Sequence, residues 1–147
     1  YNYRLSNLLA ALGFGQMLQL DDFVYRRRAV FDRYYNSLSH KKGINFIKEP
    51  KNCKSNRWLT TLIIEDNKAG VNRDEIINAL EQNNIESRPV WKPMHLQPLY
   101  KNSYYVHKSG KDISAQLFEN GLCLPSSPHL SINDQNKIID IISKLIR

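Results

Sequence analysis

At 147 residues and 41% hydrophobic content, the chain can bury one sizeable core and is too short for two ordinary domains. No apolar run is long enough to cross a bilayer, and no signal-peptide pattern is present. Lys and Arg outnumber Asp and Glu by 21 to 14, and the net charge of +7 admits an anionic partner without choosing among nucleic acid, membrane surface and phosphate-bearing small molecules.

The opening Tyr1-Asn2-Tyr3-Arg4 lacks a methionine and suggests a piece of a longer chain. Leu5 to about His40 reads as one long helix with a break or as two consecutive helices, with Ser6 or Asn7 as cap and Leu8, Leu9, Leu12 and Leu20 as a stripe. Gly13 and Gly15 mark a kink or a close approach, and Asp21-Asp22 suits a second helical start. An amphipathic element of this length links to a preceding domain, packs on a partner chain, or both. The cluster Arg26-Arg27-Arg28 with Arg33 resembles a nucleic-acid surface. However, Val24, Phe31, Tyr34 and Leu38 follow a helical repeat that turns the aromatics inward and the arginines mostly to solvent. No nucleic-acid motif accompanies the charge.

Ile44–Ile47 reads as an edge strand and Trp58–Ile64 as the strongest strand, rich in β-branched and aromatic residues. Asp66–Gly70 predicts a turn. Asn72-Arg73-Asp74-Glu75 matches a capping box opening a helix to about Gln82. Ile85–Arg88 is a short strand, after which Pro89, Pro93 and Pro98 impose a stiff, extended loop carrying Arg88, Trp91, Lys92, His95 and Gln97. Fixed cations, a stacking surface and a titratable ring on a pre-set loop suit an anionic, ring-containing ligand. The alternative is a structural crossover with Trp91 and Met94 in the core. Lys101–Lys111 reads as exposed loop, and Asp112 caps a helix over Ile113–Glu119 with Gly121 at its carboxyl end. Leu122–Pro125 is a short strand, and Asn133-Asp134 leads into a final amphipathic helix. These elements predict an α/β (α+β) fold, with helices at the start and on one face of a small antiparallel or mixed sheet.

The chemical inventory is thin. There is no GxSxG, GxGxxG or Walker-type loop, and no cysteine–histidine neighbourhood or metal spacing. Cys53 and Cys123 lie far apart and read as incidental thiols in a reducing cytoplasm, with neither metal nor disulfide indicated. The carboxylate pairs Asp21-Asp22 and Glu65-Asp66 are adjacent in sequence, so they diverge on a helix or strand. Groups that hold a ligand are present without an obvious chemical engine.

Three blocks in order resemble the DegT/StrS-like sugar aminotransferases, pyridoxal-phosphate enzymes of the aspartate aminotransferase fold. They are Tyr1-Asn2-Tyr3-Arg4-Leu5-Ser6-Asn7 leading into Ala10–Gly13, Arg88-Pro89-Val90-Trp91-Lys92-Pro93-Met94-His95-Leu96-Gln97-Pro98, and Gly121-Leu122-Cys123-Leu124-Pro125-Ser126. The resemblance spans essentially the whole chain. It implies the carboxy-terminal small domain of such an enzyme, with 1–40 as connecting or interface helices and 41–147 as the small α/β domain. The large domain that carries the Schiff-base lysine is absent from these residues, so no catalytic residue is nominated, and transamination by this segment alone is not expected.

The resemblance also implies roles. Asn2 reaches across a homodimer interface to the phosphate of pyridoxal phosphate, and Arg4 accompanies it at cofactor or substrate phosphate. Arg88 and Lys92 suit a carboxylate or diphosphate, Trp91 suits stacking on sugar or base, and His95 suits a hydrogen bond to a sugar. The implied reaction moves an amino group, usually from glutamate, onto a 4-keto sugar nucleotide for glycan or surface polysaccharide synthesis in the cytoplasm. The Trp-Lys-Pro-Met-His variant looks most like members acting on UDP-linked 4-keto-6-deoxy N-acetylhexosamines. A dehydratase-like relative and a non-catalytic binding module remain the rival readings. No metal, nucleic-acid or membrane partner is expected.

Overall fold

The computed structural model describes residues 4–106 and 110–146. In chain order it contains α1 (Asn7–Met17), α2 (Leu20–Leu38), β1 (Ile44–Phe46), β2 (Thr60–Ile64), the one-turn α3 (Asp66–Ala69) and α4 (Arg73–Glu81). Then come β3 (Arg88–Pro89), two 3-10 turns at Met94–Leu96 and Pro98–Tyr100, α5 (Ile113–Asn120), β4 (Gly121–Leu124) and α6 (Ile132–Leu145). The strands form one sheet in the order β1-β2-β4-β3, and every pair is antiparallel. The expected α/β (α+β) fold is observed, with a sheet that is wholly antiparallel.

Strand periodicity decides which face becomes the core. In β2, Thr60, Leu62 and Ile64 are buried, while Thr61 and Ile63 are half-buried. Leu62 stands opposite Leu122 on one side and Phe46 on the other, and Ile64 stands opposite Ile44. Onto this face pack Val30, Tyr34 and Leu38 of α2, Ile76 and Leu80 of α4, and Ile138, Ile139 and Ile142 of α6. Polar groups fix the registry of these layers. Fully buried Gln135 donates Nε2–H to the Val30 carbonyl at 2.7 Å and accepts from Arg33 Nη1 at 3.3 Å, tying α6 to α2. The Tyr34 hydroxyl donates to the Pro125 carbonyl at 3.2 Å, and burial pushes its phenol pKa up. Ser126 Oγ accepts from the Thr60 N–H at 2.8 Å and donates to the Leu124 carbonyl at 2.8 Å, closing the end of the β2–β4 ladder.

Several expected boundaries move for physical reasons. The first helical region is two helices, and Ser6 caps the first through the Leu9 N–H at 3.2 Å. The break falls at Leu18-Gln19, while Gly13 and Gly15 lie inside α1 with open space where a Cβ would stand. Asp66–Gly70 is a single helical turn closed by Gly70. The Asn72 capping box is formed as expected, with Asn72 Oδ1 accepting from the Glu75 N–H at 2.9 Å. Ser131 caps α6 two residues ahead of the expected lead-in. Gly121 ends α5 as expected, but without the left-handed backbone that usually favours glycine there. Its backbone is extended (φ −90°, ψ 133°) and begins β4 directly after α5. A Cβ there would lie 2.7 Å from Val90 Cγ2 and nearer still to the Leu117 carbonyl oxygen, so a side chain is excluded by close approach.

The arginine cluster also differs from its expected solvent-facing role. Arg26 pairs on the surface with Asp22 at 2.9 Å, but its neighbours turn inward. Arg27 Nη1 donates to the carbonyls of Trp58 and Ser126 at 2.7 and 3.2 Å. Arg28 grips both Glu49 carboxylate oxygens at 3.0 Å and the Ser55 carbonyl at 2.6 Å. The Arg57 guanidinium lies 3.6 Å from the Phe31 ring centre and 3.7 Å from Glu49. These bonds strap the loop between β1 and β2 across α2. Arg28 and the Ser55 N–H hold the Glu49 carboxyl at about 2, well below its ordinary 4.5.

Three measurements check this account. A group held below its ordinary pKa stabilises fully above that ordinary value and loses its effect as pH falls through the depressed one. Glu49 therefore contributes acid sensitivity between 4.5 and about 2. In Glu49→Gln, the urea midpoint is expected to be lower at neutral pH and to fall less steeply across that interval; parallel wild-type and variant profiles would contradict the strap. Gly121→Ala is expected to cost about 1–3 kcal/mol by overpacking Val90, measured by urea unfolding; an unchanged midpoint would contradict the close approach. Finally, α1 buries no residue, and Leu8, Leu9, Leu12, Phe14 and Met17 are all exposed. The isolated 147-residue chain should therefore self-associate, with a light-scattering mass at least about twice the monomer's at high concentration; a strictly monomeric chain would count against this.

Candidate substrate site

The sheet face opposite the core carries Thr61 and Cys123 in register with Arg88, and beside them lies a cleft of about 630 Å³. Two chain segments build its mouth. The Val90 N–H donates to the Gly121 carbonyl at 3.1 Å, extending the β3–β4 pairing by one residue and fixing the backbone immediately before Trp91. On the far side, Arg57 adopts a left-handed backbone (φ +50°), and the Trp58 N–H donates to Asn56 Oδ1 at 3.0 Å. Arg27 holds the Trp58 carbonyl from below. The two indoles meet with ring centres 5.8 Å apart at 36°, yet they remain 59% and 67% exposed. Trp91 and Met94 are therefore outside the core, contrary to the crossover alternative.

Between the indoles the wall includes Arg88, Val90, Phe118 and Cys123. Arg88 is exposed and pairs with Glu86, Nε to Oε1 at 2.6 Å. An exposed pair of this kind holds little energy. Ser87 Oγ is buried in the same wall, with no hydrogen-bond partner among the described residues. Phe118 is braced by Arg73, whose Nη1 donates to the Phe118 carbonyl and whose guanidinium lies 5.4 Å from the ring. Burial pushes the Cys123 thiol pKa up, so it is a poor nucleophile.

The sequence-predicted residues divide in two. Arg88 and Trp91 line the cleft. Lys92 and His95 follow on the same loop but lie outside its wall. Lys92 is exposed, and its carbonyl accepts from Gln97 Nε2 at 3.3 Å. After Pro93 the loop leaves its expected extended course for two 3-10 turns. His95 faces α5, where its Nε2 lies 2.6 Å from Asp112 Oδ2 and its ring stacks on Tyr105 at 3.7 Å and 8°. The Asp112 carboxyl is held at about 2 by the Ala115 N–H, the Ser114 hydroxyl and His95. It can only accept near neutral pH, which places the His95 proton on Nε2. Arg4 is exposed in the segment ahead of the Ser6 cap, and Asn2 lies outside the described residues. Among the described residues, no group of three His, Cys, Asp or Glu side chains is placed to hold a metal. No helix among them is long and apolar enough to cross a membrane.

Sequence reasoning missed Trp58, Phe118 and Asp112 as parts of this region. Trp58 reads as the start of the strongest strand, and the polar Asn56-Arg57 before it was the available sign of a turn ahead of β2. Asp112 reads only as a cap, which it is, but its second oxygen serves the loop.

Residues 1–143 match the DegT/DnrJ/EryC1/StrS aminotransferase family. EpsN of Bacillus subtilis (strain 168), which carries the name of a pyridoxal phosphate-dependent aminotransferase, is 40% identical over 99% of this chain and 37% of its own length. The GDP-perosamine synthase of Escherichia coli O157:H7 is 36% identical over 92% of this chain and 34% of its own. Among solved structures, a DegT DnrJ EryC1 StrS aminotransferase from Brucella abortus superposes with a TM-score of 0.82 at 30% identity, covering 97% of this chain and 36% of that one. The chain thus spans a little over a third of the length of the relatives it matches. It belongs to the DegT/DnrJ/EryC1/StrS aminotransferase family.

Proposed function

We propose that these residues form the substrate-side part of a pyridoxal-phosphate-dependent aminotransferase that acts on a 4-keto sugar nucleotide, with glutamate as donor, in glycan synthesis. The observation that carries this reading is the Trp58–Trp91 pair over a cleft with Arg88 at its rim. Indole faces suit a sugar or base ring, and a guanidinium fork suits the diphosphate between them. Relatives whose names specify sugar-nucleotide chemistry, the GDP-perosamine synthase above and a dTDP-4-amino-4,6-dideoxy-D-glucose transaminase of Escherichia coli at 26% identity, support the substrate class. The loop variant Trp91-Lys92-Pro93-Met94-His95 favours a UDP-linked 4-keto-6-deoxy N-acetylhexosamine among such substrates.

Arg4 and Asn2 are the residues of this chain that would hold the cofactor phosphate. Arg4 is an exposed residue, and a guanidinium suits a phosphate. When bound, pyridoxal phosphate supplies the electron sink through which an amino group moves between donor and sugar. The chain's own part is binding and orientation. Trp91 and Trp58 cover the ring, Arg88 exchanges Glu86 for a phosphate oxygen, and Ser87 Oγ offers a hydrogen bond inside the wall. Lys92, exposed beside the mouth, adds positive potential that draws the dianion in. Working as a homodimer in the cytoplasm completes the proposal, with Asn2 reaching the partner's cofactor.

The test uses the full-length protein containing these residues, supplied with pyridoxal phosphate, glutamate and the UDP-linked 4-keto sugar. Amino-sugar formation is expected. Trp91→Ala and Arg88→Ala should each raise KM for the sugar nucleotide about 10-fold, with kcat within about twofold, because each removes uniform binding. An inactive wild-type protein that binds no sugar nucleotide would sink the reading.

A further inference from the structure

Asp112 does more than a helix cap needs. Its Oδ1 accepts from the Ala115 N–H at 2.9 Å, the Ser114 hydroxyl at 2.8 Å and the Tyr105 hydroxyl at 3.2 Å. Its Oδ2 takes the His95 Nε2–H at 2.6 Å. The His95 side chain is only 15% exposed and lies flat on Tyr105, so the ring is held both in its plane and at its tip. One carboxylate therefore joins the first turn of α5 to the middle of the proline loop and to the segment that follows it.

These bonds close a ring of chain. From Asp112 the path runs down α5 to Gly121, whose carbonyl holds the Val90 N–H. Trp91 follows Val90. The path then returns through Lys92, whose carbonyl is held by Gln97, and the turn at Met94–Leu96, to His95 and back to Asp112. Trp91 stands on this ring between two pinned points, Val90 on β4 and His95 on Asp112. Its own side chain is two-thirds exposed, so little packing holds it in place. Removing one pin leaves a loop of exposed residues free to swing the indole away from Trp58.

We infer that Asp112, acting through His95, is a positioning residue that holds Trp91 in place opposite Trp58 and so sets affinity for the ring-bearing substrate. The consequence for catalysis rests on the aminotransferase reading; the consequence for Trp91 does not. His95 works from behind the loop and does not touch the sugar. Ser114 and Tyr105 secure the carboxylate so that its second oxygen stays aimed at His95.

The test separates the cap from the latch. Asp112→Ser keeps a side-chain oxygen for the Ala115 N–H but is too short to reach His95. His95→Phe keeps a ring over Tyr105 but loses the hydrogen bond. Asp112→Asn keeps an oxygen for the Ala115 N–H and presents its amide N–H to His95 Nε2, which accepts in the other ring tautomer, so it serves as the conservative rescue. In full-length protein labelled with 5-fluorotryptophan, the Trp91 resonance is assigned by its loss in Trp91→Phe. In Asp112→Ser and His95→Phe that resonance should move toward the free amino acid's position and sharpen, while Asp112→Asn should leave it near the wild-type position. With sugar nucleotide, the first two variants should raise KM about fivefold with kcat little changed. The double variant should be no worse than either single one, as expected for two ends of one bond. An unmoved Trp91 resonance in both variants would overturn the latch, whatever the enzyme's activity. If the resonance moves but KM for the sugar nucleotide is unchanged, the claim that the latch sets affinity is overturned. A wild-type protein without transaminase activity whose Trp91 resonance still responds would count against the aminotransferase reading and leave the latch standing.

Discussion

The carbonyl and the missing side chain of Gly121 join α5, the sheet and the loop that carries Trp91. Because no Cβ intervenes, Val90 and the last turn of α5 close onto the start of β4, and the Val90 N–H reaches the Gly121 carbonyl at 3.1 Å. That approach lets a two-residue strand, Arg88–Pro89, hold on the sheet edge despite a proline that donates nothing. The same strand delivers Arg88 and Trp91 to one side of the sheet while Leu122 and Leu124 of β4 stay in the core on the other. Core and site thus share one strand. A change that loosens β4 is felt in both.

A second constraint acts from the opposite wall. Trp58 is not held by burial but by its backbone, through Asn56, the left-handed Arg57 and the Arg27 guanidinium beneath its carbonyl. The basic cluster of α2 therefore has a mechanical part in the site. Arg28 and Arg57 secure the long β1–β2 loop on Glu49, Arg27 spans Trp58 and Ser126, and Ser126 in turn closes the β2–β4 ladder. Charges that look on the sequence like a surface for an anionic polymer are committed to carbonyls and carboxylates of their own chain. Among the described residues, Arg88, paired weakly with Glu86, lies at the cleft, and Lys92 is beside it.

Much of the fold was legible because local rules and packing agreed. The Asn72–Glu75 box, the Ser6 cap and the alternation of β2 each involve neighbours in sequence, and each formed as its residue types dictate. The rest shares a cause. Gly121 ends α5 as expected, yet the sequence gives no sign of the approach of Val90 that requires a glycine, and α2's arginines resemble a solvated face until the loop over them is placed. In the site, Arg88 and Trp91 were visible because the prolines isolate them on an exposed stretch. Trp58 was not, because its role depends on pairing with a residue 33 positions away. His95 shows the limit in the other direction. A histidine on a ligand loop invites a ligand, but its Nε2 contact with Asp112 and its stacking on Tyr105, 17 and 10 positions later, were not readable from the loop itself.

On the proposed function, β4 and its neighbours hold Trp58 and Trp91 as a ring-binding mouth with Arg88 as its anion contact. The most direct test is a crystal structure of the full-length protein with a UDP-linked sugar bound. The account predicts a ligand ring within stacking distance, about 4 Å, of the Trp91 face, with a diphosphate oxygen on Arg88 in place of Glu86. A nucleotide sugar bound elsewhere, with both indoles still open to solvent and the Arg88–Glu86 pair intact, would contradict it.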